Sequence, residues 1–245
     1  MKKGVLVTGG AHGIGRQICL DFLHEDYAVC FMDINERGKE LEEENLYFFH
    51  GDVKDKEQLV NFVSFSLEKL GRIDVLVNNA CYGKGGLLTD ASYEDFDEVL
   101  AVGLKAPYEL TRLCKEELIK NKGRIVNIAS SRYAQSEPNS ECYASAKGGI
   151  VALTHASAMS LAPDVLVNAI APGWIQVSDY EISDTDKASI PAGKVGKSSD
   201  ISSMVLYLCK QSFMTGETIT IDGGMNKRMI YHNDWNWQYN KDEED

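Results

Sequence analysis

Val5-Leu6-Val7-Thr8-Gly9-Gly10-Ala11-His12-Gly13-Ile14-Gly15 begins as a short apolar run and breaks into glycine. The run is mostly β-branched and starts almost at the N-terminus, as a buried parallel strand does. Gly9 opens a turn, and Gly9, Gly13 and Gly15 follow a G-x-x-x-G-x-G spacing. Behind them Ile14, Ile18, Phe22 and Leu23 mark the apolar stripe of a helix. A strand, a glycine-rich turn and a helix N-terminus in succession let backbone amides approach a pyrophosphate, with the helix dipole aimed at its charge. Glycines also mark plain tight turns, so the nucleotide-binding reading rests on the flanking strand and helix.

Working outward, a second apolar run at 28–32 ends at Asp33, eighteen residues past Gly15. A carboxylate at the end of a second strand is placed to accept hydrogen bonds from adenosine ribose hydroxyls and to repel a 2′-phosphate, which favours NAD over NADP. The alternatives are that Asp33 caps the next turn, or that His12 and Arg37 receive a 2′-phosphate despite it. Residues 46–49 form a third strand, stopped by His50-Gly51-Asp52-Val53. Asp52 either faces the adenine edge or caps the helix that follows, whose stripe runs through Leu59, Phe62, Val63 and Leu67. Val75-Leu76-Val77 is a fourth strand leading into Asn78-Asn79-Ala80. Strands alternating with helices predict a parallel sheet with right-handed crossovers, the doubly wound α/β class.

Residues 82–90 read as a loop and 93–120 as a long helix interrupted near Gly103 and Pro107. A fifth strand at 125–129 delivers Ser130 at its carboxyl end, where ligands sit in open α/β sheets. After a polar loop, Tyr143 opens a helix that runs to Leu161. Tyr143 and Lys147 then share one face a turn apart. A cation about 4 Å from a phenol favours the phenolate by about 4 kcal/mol at an effective dielectric near 20, enough to bring a tyrosine into proton transfer near neutral pH. Residues 165–170 make a sixth strand ended by Pro172-Gly173, and 217–221 a seventh, closed by Asp222-Gly223-Gly224. Between them, 174–194 is irregular and acidic, either a lid over a substrate or a solvated excursion. Residues 225–245 form a C-terminal extension with Tyr231, Trp235, Trp237 and Tyr239, expected to pack on another surface and to fray at its charged end.

The chain's 245 residues carry 37 acidic and 25 basic side chains, a net charge of −12, which disfavours nucleic acid and anionic membranes as partners. Cys19, Cys30, Cys81, Cys114, Cys142 and Cys209 are scattered without a C-x-x-C pair, the pattern of free thiols in a reducing compartment. No metal site is expected. No run approaches the length of a membrane span, and the N-terminus enters a strand directly, so a cytoplasmic location is expected.

Taken together, the glycine loop at 8–15, Asp33, Asn78-Asn79-Ala80, Ser130, Tyr143-x-x-x-Lys147, Asn168-Ala169-Ile170-Ala171-Pro172-Gly173 and Asp222-Gly223-Gly224 resemble the short-chain dehydrogenase/reductase family over residues 4–224, most closely its single-domain members. The resemblance implies a single Rossmann-type domain over 1–224, with seven parallel strands in the order 3-2-1-4-5-6-7 and helices on both faces. It also implies an NAD(P) cofactor along the carboxyl edge, a small secondary alcohol or ketone as substrate, and a homodimer or homotetramer. By position, Tyr143 matches the general acid/base, Lys147 the lysine that activates it and holds the nicotinamide ribose, and Ser130 the serine that holds the substrate oxygen. Gly9, His12, Gly13, Ile14, Gly15, Asp33, Asp52, Val53, Asn79, Ala80, Pro172, Gly173 and Ile175 fall at cofactor-contacting positions, together with Tyr143 and Lys147.

The chain departs from the family pattern at three places. Gly103 stands where most members have an asparagine whose helix kink holds a relay water. Cys81 follows Asn-Asn-Ala where glycine is usual, and Val177 replaces a threonine that contacts the carboxamide. Gly103 and Val177 keep open a second reading, an NAD-binding sensor or scaffold with reduced turnover.

Overall fold

The strand β1 (Gly4–Thr8) sends Val5 and Val7 into one layer of side chains and Leu6 into another, and all three are fully buried. Burial on both faces is why the run is continuously apolar rather than alternating. A computed structural model describes residues 1–229; the aromatic cluster expected at Tyr231, Trp235, Trp237 and Tyr239 lies outside these residues. The strands that follow are β2 (Ala28–Asp33), β3 (Leu46–His50), β4 (Val75–Asn78), β5 (Arg124–Ile128), β6 (Leu166–Pro172), the short β7 (Ile175–Gln176) and β8 (Gly196–Lys197), and β9 (Thr218–Ile221).

Seven of them form one sheet in the order β3-β2-β1-β4-β5-β6-β9, every neighbouring pair parallel. This is the expected order, with β9 as its seventh strand; β7 and β8 pair separately. The helices are α1 (Gly13–His24), α2 (Lys56–Leu70), α3 (Tyr93–Leu100), α4 (Ala106–Lys120), α5 (Glu141–Leu161), α6 (Asp184–Ser189) and α7 (Ser198–Lys210). Ile18 and Phe22 of α1 and Ile201, Val205 and Leu208 of α7 cover the face that carries Val5 and Val7. Leu59 and Phe62 of α2, Leu110 and Leu118 of α4 and Ala158 of α5 cover the face that carries Leu6. β1 pairs with β2 on one side and β4 on the other, so the strand order reverses there and a crevice opens at the carboxyl ends. No helix among the described residues is long and apolar enough to cross a membrane.

The structure differs from expectation in local detail. The helix expected at 93–120 is two helices joined by a π-helical turn, Ala101–Lys105, closed by Ala106 N–H donating to the Ala101 carbonyl. Pro107 has no N–H, so it cannot donate to the Gly103 carbonyl four residues back, and the α-ladder breaks where the sequence is interrupted. α5 starts at Glu141, which puts Tyr143 inside the first turn rather than at its start. The segment 174–194 contains α6, capped by Ser183, whose Oγ accepts from Asp186 N–H at 3.1 Å. The cap of α2 is Asp55, which accepts from Glu57 and Gln58 N–H, so the capping reading of Asp52 is discarded.

Candidate active site

The glycine loop is held from both ends. Gly9 has φ +69° and Gly13 φ +55°, in the left-handed region that side chains disfavour. A Cβ at Gly15 would lie 1.9 Å from the Gly9 carbonyl oxygen, so only glycine lets α1 start this close to the turn. Asn79 Nδ2 donates to the carbonyls of Thr8 (2.9 Å) and Gly9 (3.0 Å). In return, Thr8 Oγ1 accepts from the backbone N–H of Asn79 (3.0 Å) and Ala80 (3.1 Å). The end of β4 thus clamps the loop after β1, and Asn79 acts on the loop itself.

Asp33 is 6 % exposed and makes the next wall. Its Oδ2 accepts from Ala11 N–H and its Oδ1 from Asn35 N–H, both at 2.9 Å, which leaves one lone-pair direction per oxygen. His12 Nδ1 lies 3.9 Å from Asp33 Oδ2 with its ring mostly exposed. Arg37 is exposed and does not line the crevice; it sits on a short turn where its N–H donates to Asn35 Oδ1. Asp52 Oδ1 accepts from Lys54 N–H at 2.9 Å and the side chain faces the crevice beside Val53.

At the other end, β5 and α5 bring Ser130, Tyr143 and Lys147 together. Lys147 is 3 % exposed; its Nζ donates to the Ile128 carbonyl at 2.6 Å and stands 5.5 Å from the centre of the Tyr143 ring. Ser130, two residues past Ile128, is buried, and its Oγ accepts from Arg132 N–H at 3.2 Å. A buried ladder sets the register of α5 on the sheet: Asn78 Nδ2 donates to Asn127 Oδ1 (2.8 Å), Asn127 Nδ2 to Thr154 Oγ1 (2.9 Å), and Thr154 Oγ1 to the Ile150 carbonyl (2.8 Å). Behind the site, a Cβ at Gly173 would meet Asp222 Cβ at 2.5 Å, so the Asp222 turn buttresses the end of β6.

Every site residue named from the sequence lines one cavity of about 750 Å³, within the usual range for small-molecule and cofactor sites. The glycine loop, Asp33, Ser130 and Tyr143 all line it. Cys81 and Val177 line it too, and Val177 lies over the glycine loop, 3.2 Å from where a Gly13 Cβ would be.

Sequence reasoning missed one rim. Tyr82 Oη donates to Glu98 Oε2 (3.1 Å), Lys84 pairs with Glu98 (2.9 Å) and Asp95, and Lys54 bridges Glu98 (3.5 Å) and Asp52 (3.6 Å). Hydrogen bonds from Lys84 hold the carboxyls of Asp95 and Glu98 below the usual range. Lys54 and Glu98 are forty-four residues apart, and only the packing of α3 against the mouth of the crevice joins them.

The chain is similar to known proteins in sequence and fold. A family model described as enoyl-(acyl carrier protein) reductase matches residues 9–226. An uncharacterized oxidoreductase of Thermotoga maritima is 38 % identical, over 94 % of this chain and 98 % of its own. The structure of an apo SCOR enzyme from Clostridium thermocellum is 66 % identical, covers 99 % of this chain and 100 % of its own, and superposes with a TM-score of 0.94. ElxO, solved with NADP bound, is 32 % identical over 93 % of this chain and all of its own, with a TM-score of 0.85. With the strand order, the glycine loop and the Ser130–Tyr143–Lys147 convergence, these matches establish that the chain belongs to the short-chain dehydrogenase/reductase family of NAD(P)-dependent oxidoreductases.

Proposed function

We propose that the protein transfers a hydride between NAD and a secondary alcohol or ketone of modest size, with Tyr143 as general acid/base. The observation that carries this reading is the convergence of Ser130, Tyr143 and Lys147 on the cavity that also holds the glycine loop and the buried Asp33. The cradle fits the cofactor: positive-φ glycines present backbone where a side chain would exclude a pyrophosphate, and Asp33 keeps lone pairs free for ribose hydroxyls. Bound nicotinamide supplies or takes the hydride. The protein's part is proton handling and orientation. Tyr143 gives its proton to the carbonyl oxygen in reduction and takes one from the alcohol in oxidation. Ser130 donates to the same oxygen and fixes it beside the phenol. Lys147, anchored on the Ile128 carbonyl, stabilises the phenolate and offers its remaining N–H donors to the nicotinamide ribose.

Residues 1–224 act as one cofactor-binding and catalytic unit with 174–194 as its lid, in a cytoplasmic homodimer or homotetramer. Acidic residues on the lid disfavour strongly anionic substrates, acyl carriers included. The NADP reading is favoured by the likeness to ElxO, solved with NADP bound, and to a metagenomic blue fluorescent protein solved with NADPH; His12, 3.9 Å from Asp33, then stands beside the 2′-phosphate position.

Turnover of a ketone panel with NADH and with NADPH, measured beside Tyr143→Phe, tests the proposal. A loss of at least about a hundredfold in the variant is expected. Equal rates in the two proteins would remove Tyr143 from the role, and no turnover by either would favour the sensor reading.

A further inference from the structure

Three stretches of backbone meet beside Tyr143 and Lys147: the turn after β4, the π-helical turn, and the first turns of α5. Gly103 is buried at that meeting point. A Cβ built there would lie 3.0 Å from Cys81 Sγ and 3.0 Å from Ala146 Cβ. Ala146 cannot yield without moving its helix. Ala146 has no side-chain torsion and is fully buried, and Cys81 is a short side chain between its own turn and the cavity. Any side chain at 103 therefore begins in over-tight contact with the sulfur and with Ala146.

We propose that Cys81 and Gly103 are one matched knob and hole, with Cys81 as a positioning residue for Lys147. The thiol packs as a small apolar group and fills the gap that the missing side chain leaves. It holds the π-helical turn and α5 at the spacing that seats Lys147, the residue after Ala146, under the Ile128 carbonyl. The two departures from the family pattern are then a single exchange in space, side chain for glycine on each side of one contact. Its catalytic consequence rests on the acid/base reading of Tyr143; its packing content does not.

A double-mutant cycle tests it: the wild-type protein, Cys81→Gly, Gly103→Asn and the double variant, each measured for Tm, for NADH dissociation constant, and for kcat and KM. Gly103→Asn alone is expected to lower Tm by about 3–10 °C, as overpacking does in a domain of this size. It is also expected to lower kcat by at least roughly tenfold, with KM moving less, because Lys147 is displaced rather than the substrate site. Adding Cys81→Gly should restore most of both losses. If Gly103→Asn does not fold alone, Gly103→Ala carries the same Cβ through the same cycle. Additive effects on Tm overturn the proposal. A Tm cycle that couples while kcat stays at the wild-type level in Gly103→Asn overturns the positioning role. If no variant turns over any substrate, the Tm cycle still decides the packing and the oxidoreductase reading fails separately.

Discussion

Replacing Asp33 with asparagine asks what one buried carboxylate contributes to cofactor choice. The side chain lies at the carboxyl end of β2, 6 % exposed, with one oxygen on Ala11 N–H and the other on Asn35 N–H. A 2′-phosphate within about 5 Å of that charge, at an effective dielectric near 20, meets a repulsion of about 3 kcal/mol per unit of phosphate charge. That corresponds to at least roughly a hundredfold in affinity. His12 Nδ1, 3.9 Å from Oδ2 on an exposed ring, offsets part of it only when protonated. Asparagine keeps the volume, removes the charge, and sets an NH2 group against one of the two backbone N–H donors, at a cost of about 1–3 kcal/mol. NADH should therefore bind about ten- to a hundredfold more weakly and NADPH more tightly, so that a wild-type preference near a hundredfold narrows to within about tenfold. Dissociation constants for both reduced cofactors, from their fluorescence at fixed ionic strength, give the ratio directly. A wild-type ratio near one, or a ratio that the substitution leaves unmoved, would refute the electrostatic reasoning.

Other perturbations follow from the same geometry. Asn79→Ala strips the donors from the Thr8 and Gly9 carbonyls and should cost about 1–3 kcal/mol; an unchanged Tm and NADH affinity would show that the clamp is idle. Burial pushes the Cys30 and Cys114 thiols up to about 12, so neither should alkylate at pH 8 in the folded protein. Cys81, which lines the cavity, should react first and be shielded by NADH, and mass spectrometry of iodoacetamide-treated protein checks the order. Lys84 holds Asp95 and Glu98 below the usual carboxylate range. Groups depressed in this way contribute fully above their unfolded values near about 4 and lose that contribution as pH falls through the folded ones. The cluster is partly exposed, so the effect is small and screened by salt. Lys84→Ala should flatten the fall of Tm between about pH 5 and 2 at low salt, and parallel curves would rule the network out as a source of acid sensitivity.

The parts of the fold legible in the sequence are those written in local pattern. Doubly buried strands leave continuous apolar runs, so all seven were readable, with β6 running two residues further because Pro172 at its end still pairs with Ile221. Asp33 and the glycine loop were legible because their spacing follows from one strand-turn-helix unit. What was not legible depends on contacts across the chain. Asp52 and Asp55 are equivalent in sequence as helix caps, and only backbone direction assigns the cap to Asp55. The ion pairs of Lys54 and Lys84 with Glu98 carry no local signal at all. Gly103 and Cys81 were visible singly as departures, but their approach exists only after the π-helical turn and the turn after β4 are packed together.

The proposed acid/base pair makes the same distinction within one site. Spacing of i and i+4 brings Tyr143 and Lys147 to one face of α5, yet a flexible lysine on a helix surface points to water. Here the ammonium is drawn inward by a carbonyl of the sheet, Ile128 at 2.6 Å, and lies over the Tyr143 ring. Ser130 follows two residues past the end of the same strand, as the cap of the next turn. β5 therefore positions two of the three groups, and the Asn78–Asn127–Thr154 ladder fixes where α5 delivers the third. A tyrosine and lysine on a helix become an acid/base pair only when a strand end supplies both the anchor for the cation and the hydroxyl for the substrate. The motif's meaning therefore lies in the β5–α5 contact more than in the five residues that spell it.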